Sequence, residues 1–578
     1  MNTMSHGPAP LSDRNFGWDG LPLAKLLLVG RNRDLRLFGW LLLAAACVFI
    51  AYIARMGAVT HDVFHEMALA REWLECGSFP REDCFAYTPT VSPAVHHEWG
   101  TGLLLYLAVT AIPFGLSGLM VFKLLLVAAL AMLLYRVARN GGSHPLVWVI
   151  LLPIVLPLLW VGFATVRAQL LTLVALAAQM LMFQSDWRGR RSWVWLWLPM
   201  YLVWLNVHAG FVVGLGMLGF HCLERSAAAW WQRRSVLKTT WHLWALLPAA
   251  CLGVGCNPWG WEYVPYLLRA ITMDRPTILE WKPLWHTYDP ATSLFVFGVS
   301  VVMLGYAAKN RRWDRLRGWC FCVVAALMAL KHIRHGSIYA VVWLAYVPAW
   351  LTPTPLGQSL IRRLTASRPR VVVGSQALAF ICSCFAIWQG FWNVTIPSSL
   401  AVSAHCFPRE AVAYLKGCDF RGHLMTPFHC GAYVTWELYP AVKVSLDGRY
   451  EVAFAEQVFP DHQRFYEALP GWQTILQAYE HDLILVPRDS PVARLWADAD
   501  QPPVHGWQVV YRDESFEMLA RDGLELPPRL VVGTSMAGQS LPSDAPREIR
   551  IVAMEMNQAI DLRAGLGHLK TGGNIQQP

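Results

Sequence analysis

Apolar runs of about twenty residues recur through the first two thirds of the chain, each long enough to cross a bilayer. The first, 37–56, follows Arg31, Arg33 and Arg36, and no clear small-residue cleavage site ends it. It reads as an uncleaved spanning helix with a cytoplasmic N-terminus. Basic clusters at Arg188–Arg191, Arg225–Lys238, Lys309–Arg317 and Arg362–Arg370 mark further cytoplasmic ends. Runs at about 192–205, 209–223, 241–256, 291–307, 318–332, 336–351 and 371–391 then alternate between them. Residues 100–135 split at Phe114-Gly115, and two crossings there would break the alternation downstream. The spacing favours a re-entrant or interfacial helix over 100–114 and one crossing over 116–135.

Past 392 the pattern changes. Ala411–Leu415 and 455–479 read as helical, and Val442–Leu446, Leu483–Pro487 and Val509–Tyr511 as short buried strands. The expected architecture is an α-helical polytopic membrane protein of about 11 spans with a C-terminal soluble α/β domain. Residues 1–36 are a cytoplasmic segment, and 37–392 form the transmembrane domain with a large outer loop at 57–99. Residues 393–524 form the outer α/β domain. From 525 to 578 the chain is rich in Pro, Gly, Ser and Gln and reads as a flexible tail.

Composition agrees. Hydrophobic residues make up 55% and charged residues only 15%, against about 25% in soluble domains. Many of the 29 tryptophans lie near run ends, as in interfacial belts. The net charge of +9 fits cytoplasmic loops better than nucleic acid. The thirteen cysteines follow no metal spacing. Cys76 and Cys84 share the polar loop and suit a disulfide in an oxidising compartment, and the trio Cys406, Cys418 and Cys430 cannot all pair.

The chemistry gathers in the outer loop. It carries Asp62, Glu66, Glu72, Glu75, Glu82, Asp83 and Glu98 with four histidines. On a helix, Asp62, His65 and Glu66 share one face. Such a carboxylate can take a proton from an attacking hydroxyl, or Asp62 and Glu66 can hold a divalent cation, the one cofactor in view. The rival is a solvated juxtamembrane charge. His97 and Glu98 suit a metal, a phosphate or a sugar, or simply cap an interfacial helix. Arg167, Arg334 and His335 interrupt apolar stretches and suit a phosphate, with snorkelling as the alternative. Asn206 and His208 place an amide and an imidazole at the outer end of another run. No nucleotide-binding loop, nucleophile elbow or zinc-protease helix is present.

The order of these parts resembles the C-type (GT-C) integral membrane glycosyltransferases, and most nearly a poorly characterised bacterial branch. In the first loop the likeness runs from Asp62 through Trp73, Gly77, Pro80, Asp83 and Phe85-Ala86-Tyr87-Thr88 to His97-Glu98-Trp99. That branch reads D-x-W, G-x-x-P-x-x-D-x-F-S-Y-T and H-E-W-L; here Phe64, Ala86 and Gly100 depart from it. Further landmarks are Trp204–Gly210, Asn257–Gly260, Glu280-Trp281, Arg334-His335, Gly431–Tyr433, Tyr439-Pro440 and Asp447-Gly448-Arg449.

The resemblance implies Asp62 as general base, or as metal ligand with Glu66 where one is used. Charge, residue type and side of the membrane, rather than the resemblance, make Glu66, His97, Glu98, Arg167, Asn206, His208, Arg334 and His335 the substrate-binding candidates. The donor would be a polyprenyl-phosphate-linked sugar or a polyprenyl-diphosphate glycan, and the acceptor a glycan, lipid or protein, with no nucleic-acid partner. The protein would lie in a bacterial inner membrane, with the loop 57–99 and the C-terminal domain periplasmic. The rivals are a transporter or flippase for a lipid-linked precursor, and a non-catalytic envelope assembly factor.

Overall fold

The computed structural model describes residues 59–163, 165–273, 278–287, 289–312, 315–365, 406–497 and 504–530, with 381 and 396. The expected spans 37–56 and 371–391, the segment 1–36 and most of the tail lie outside the described residues.

The membrane part runs in chain order through α1 (Asp62–Cys76), α2 (Trp99–Thr110), α3 (Ser117–Asn140), α4 (Pro145–Phe163) and α5 (Ala168–Trp187). It continues through α6 (Val194–Val207), α7 (Phe211–Trp231), α8 (Val236–Gly253) and α9 (Tyr263–Thr272). It ends with α10 (Pro290–Lys309), α11 (Trp319–Lys331), α12 (Gly336–Leu351) and α13 (Pro355–Thr365). Among the described residues four helices, α3, α4, α5 and α10, are long and apolar enough to cross a membrane. That is fewer than the expected count of about 11, part of which falls outside the described residues. α2 has twelve residues, about 18 Å at 1.5 Å per residue, too short for a core of about 30 Å.

α12 is apolar all round, and all sixteen of its residues are buried. A helix with no polar face has to be enclosed, and α3, α4, α5, α10 and α11 surround it. α10 is the opposite case, mostly exposed, with Phe295 and Val302 facing outward as a lipid-facing helix does.

The C-terminal part adds α14 (Arg409–Gly417), β1 (Gly422–Met425), α15 (Gly431–Leu438), β2 (Val442–Val444), α16 (Val458–Tyr466) and α17 (Ile475–Ala478). β3 (Leu483–Pro487), α18 (Pro491–Ala497), β4 (Trp507–Arg512), β5 (Phe516–Arg521) and β6 (Arg529–Leu530) complete it. The strands form one mixed six-stranded sheet in the order β2-β1-β3-β5-β4-β6. β6 extends the sheet past residue 525, where the tail was expected to begin. β3 is apolar throughout because both its faces are covered: Leu483 and Leu485 join one core, Ile484 and Val486 another.

The outer loop and this sheet fold as one unit. Ala86 pairs parallel to Val444 on the free edge of β2, and Thr90 pairs antiparallel to Phe454. Val63, Phe64 and Met67 of α1 share a core with Leu424, Leu483 and Met518 of the sheet. The ten described cysteines are all free thiols, so Cys76 and Cys84 are unpaired, and Cys76 Sγ donates to Glu72 at 3.0 Å.

Candidate active site

α1 begins at Asp62 and packs against α2 so closely that a Cβ on Gly102 would fall 2.3 Å from the Glu66 carbonyl oxygen. Gly100 is likewise set against the backbone of Asn206, where a Cβ would meet the carbonyl oxygen at 2.7 Å. These two glycines bring α1, the start of α2 and the end of α6 together, and with them the polar residues of three chain segments.

Three groups of side chains result. In the first, Arg167, capping the start of α5, bridges two carboxylates. Its Nη2 donates to Asp62 Oδ2 at 2.9 Å and its Nη1 to Glu280 Oε1 at 2.5 Å. Burial alone would lower the Arg167 pKa, but Asp62 and Glu280 outweigh it and hold the guanidinium charged. About a third of the Asp62 side chain stays open to solvent. Glu280 stood in the sequence only as a landmark. Nothing local links it to Arg167, 113 positions away.

The second group lies one helical turn further along α1. Glu66 is buried and hydrogen-bonds Glu98. Burial, with the facing Glu98 carboxylate, pushes the Glu66 pKa well above the usual range. Burial acts on Glu98 in the same sense, but the His97 hydrogen bond and the His97 and His208 imidazoles outweigh it and keep Glu98 below its ordinary value. The two shifts run in opposite directions, so a proton on the pair is favoured on Glu66 over Glu98. His97 Nε2 and His208 Nε2 lie 3.3 and 3.4 Å from Glu98 Oε1.

Local donors fix the His208 tautomer. Trp204 Nε1–H donates to Thr172 Oγ1 at 2.8 Å, which leaves the Thr172 hydroxyl proton for His208 Nδ1 at 2.7 Å. The Gly210 amide donates to the same Nδ1 at 3.1 Å. Nδ1 is thus an acceptor, and the proton of the neutral ring sits on Nε2, facing Glu98. Burial pushes the His208 pKa down to about 4, so the ring is neutral at pH 7. His97 is anchored by Tyr266, whose hydroxyl lies 2.7 Å from Nδ1.

The third group joins the loop after α9 to the turn before α12. Ile333 N–H donates to Lys282 O at 2.9 Å, and His332 Nδ1 lies 2.5 Å from Trp281 O. The Arg334 guanidinium stands 4.5 Å over the Trp281 ring. Gln169 Nε2, two residues after Arg167, donates to Arg334 O at 3.1 Å. His335 packs beside Trp281, and burial pushes its pKa down to about 4. The first and third groups are adjacent through Glu280-Trp281.

Asn206 is tied up elsewhere. Its Oδ1 accepts from Trp99 Nε1 at 3.0 Å, and its Nδ2 donates to the carbonyls of Leu202 and Cys256. These bonds tie the start of α2, the end of α6 and the turn after α8 together. Of the two carboxylates that could hold a cation, Asp62 has Oδ2 taken by Arg167, and among the described residues no three His, Cys, Asp or Glu side chains converge as ligands.

The sheet domain also reaches this site, which local sequence patterns did not reveal. Arg449 is buried and holds Asp447 through Nε (3.0 Å to Oδ1, 3.1 Å to Oδ2) and Nη2 (2.6 Å to Oδ2). Its Nη1 bonds Asp83, whose Oδ1 accepts from the amides of Phe85 and Ala86 at 3.0 and 2.7 Å. Between Asp447 and Arg449, Gly448 lies directly against Asp62 and His65.

No family model and no curated protein sequence matches the chain. Among solved structures it is similar to the apo oligosaccharyltransferase of Archaeoglobus fulgidus: TM-score 0.49, 12% identity, 84% of this chain and 75% of that one. It is also similar to ArnT from Cupriavidus metallidurans bound to undecaprenyl phosphate (0.49, 10%, 83% and 98%). A third is the arabinofuranosyltransferase AftD from Mycobacteria (0.46, 14%, 83% and 40%). At such scores and identities the likeness assigns no residue a role.

Proposed function

We propose that the chain is a multi-pass membrane glycosyltransferase that moves a sugar from a polyprenyl-phosphate-linked donor to a glycan, lipid or protein acceptor. The reaction is assigned to the periplasmic face of a bacterial inner membrane. The observation that carries the reading is the bridge Asp62–Arg167–Glu280, a carboxylate held by one oxygen and partly open, beside the Arg334–Trp281 pair.

Each part has a task in that reaction. Asp62 takes the proton of the acceptor hydroxyl or amine as its oxygen or nitrogen bonds to the anomeric carbon. The bond from that carbon to the phosphate oxygen breaks, and the lipid phosphate leaves with the electron pair. Arg334, a planar cation, meets the phosphate. His335, neutral at pH 7, contributes hydrogen bonding rather than charge. Arg167 serves Asp62 instead of the phosphate, because both outer nitrogens of its fork are engaged by carboxylates. Trp281 offers an aromatic face of the kind that stacks on sugar rings.

The test is transfer in membranes loaded with a radiolabelled polyprenyl-linked sugar pool. Wild type should move label to an acceptor, and Asp62→Asn should lose about 10²–10⁴-fold in rate while accumulating normally. Equal transfer by both proteins would remove Asp62 from the reaction. No transfer by wild type from any donor in the pool would remove the reading.

A further inference from the structure

Gly448 is in none of the conformations that require glycine, since its φ is outside the left-handed region. Its small size serves contact instead. A Cβ built there would lie 3.0 Å from Asp62 Oδ1, 3.4 Å from His65 Cε1 and 3.5 Å from His65 Nδ1. The turn that carries Gly448 is rigid, because Arg449 clamps Asp447 on one side and Asp83 on the other. Asp62 is thus held at Oδ2 by Arg167, while Oδ1 stays open but lies where a Cβ at position 448 would crowd it.

His65 sits beside it with one ring nitrogen unpaired. Its Nδ1 is buried and has no hydrogen-bond partner in the protein. Buried polar atoms are nearly always satisfied, and one left open beside a reactive carboxylate calls for a ligand atom. The charged groups facing His65 are Asp62 on its own helix, Asp447 and Arg449 on the turn, and Glu98 at the start of α2.

Resting on the glycosyltransferase reading, we propose that His65 Nδ1 is the second contact of the acceptor's nucleophile. Asp62 takes the proton, His65 fixes the nucleophile's direction, and Gly448 is kept small so that the turn closes on both. The site is therefore shared between the first loop and the sheet domain. Specificity for the acceptor lies at this seam, apart from the donor phosphate at Arg334.

The experiment uses the full chain in membrane vesicles, with the labelled polyprenyl-linked sugar pool as donor and a serially diluted envelope extract as acceptor. His65→Phe keeps the ring volume and removes Nδ1. The apparent KM for the extract should rise about tenfold, the worth of one hydrogen bond, with donor KM unchanged. His65→Asn, which restores a hydrogen-bonding group, should recover most of the loss. Gly448→Ala should raise the same KM, whereas Gly305→Ala, on α10 with open space around it, should change nothing. Should His65→Phe fail to accumulate, Gly448→Ala reads the same quantity. Wild-type KM for the extract in His65→Phe and Gly448→Ala, or equal rises in donor and acceptor KM, overturns the inference while Asp62→Asn still tests the reaction. Full activity of Asp62→Asn overturns the reading, and the inference with it.

Discussion

Arg449→Ala should detach the first loop from the sheet domain. Arg449 is 3% exposed, and the carboxylates of Asp83 and Asp447 on either side are fully buried. Removing the cation leaves both carboxylates without their partner in a low-dielectric seam. Breaking a buried pair in this way costs about 3–5 kcal/mol. At about 1.4 kcal/mol per tenfold, the population with the loop undocked should rise at least about a hundredfold.

The loss is local, because the spans around α12 do not depend on this seam. Trypsin reads it. Arg71 on α1 is held shut, its Nη1 donating to Trp436 O at 3.0 Å and its guanidinium 4.5 Å over the Trp436 ring. Cleavage after Arg71 therefore needs opening and tracks the open population when reclosing is fast. Arg449→Lys should fall between the two, since a point charge cannot replace the fork. A triple exchange of Asp83, Asp447 and Arg449 to apolar residues of similar volume should restore protection, because no charge is then stranded. Wild-type cleavage kinetics in Arg449→Ala would refute the reasoning. The seam is also acid-sensitive. Burial would raise the Asp447 pKa, but Arg449 outweighs it and holds it below the usual value. Its stabilisation is complete above the ordinary carboxylate range and is lost only as pH falls through the lower folded value, so protection at Arg71 should not weaken at the acid end of trypsin's working range.

Glu66→Gln mimics the protonated acid and should retain transfer within about threefold, a change of under 1 kcal/mol; a loss comparable to that of Asp62→Asn would show that Glu66 must ionise. Glu66 has a raised folded pKa, so its contribution is full below its unfolded value and declines as pH rises through the folded one. The thermal stability of the wild type should therefore fall toward alkaline pH more than that of Glu66→Gln. Gly102→Ala forces a Cβ against the Glu66 carbonyl, and such overpacking costs about 1–3 kcal/mol. Faster cleavage after Arg71 is expected, and unchanged protection would show that the helices can part without cost.

Much of the helical part was legible because a hydrophobic run is a local property. The expected runs at 291–307, 318–332 and 336–351 correspond to α10, α11 and α12. The split at Phe114-Gly115 separates α2 from α3, where a Cβ on Gly118 would fall 1.9 Å from the Ala108 carbonyl oxygen. The strands at 442, 483 and 509 were readable from short apolar runs. β1 and β5 were not: Gly422-His423 and Glu517 break the pattern. Glu517 sits there because Arg488 and Arg512 pair with its carboxylate.

For the site, the sequence by itself determined the inventory: a loop rich in carboxylates and imidazoles between apolar runs, with Asp62 and Glu66 one turn apart on a helix. Which groups meet was decided by tertiary structure alone. Arg167 finds Glu280 across 113 positions, and Arg449 finds Asp83 across 366. Neither pairing leaves a periodicity or spacing to read, because an ion pair constrains two points in space and not the chain between them. Gly448 shows the limit most plainly. A lone glycine in a turn reads as backbone freedom, and only the packed structure shows that its value is the absent side chain beside Asp62.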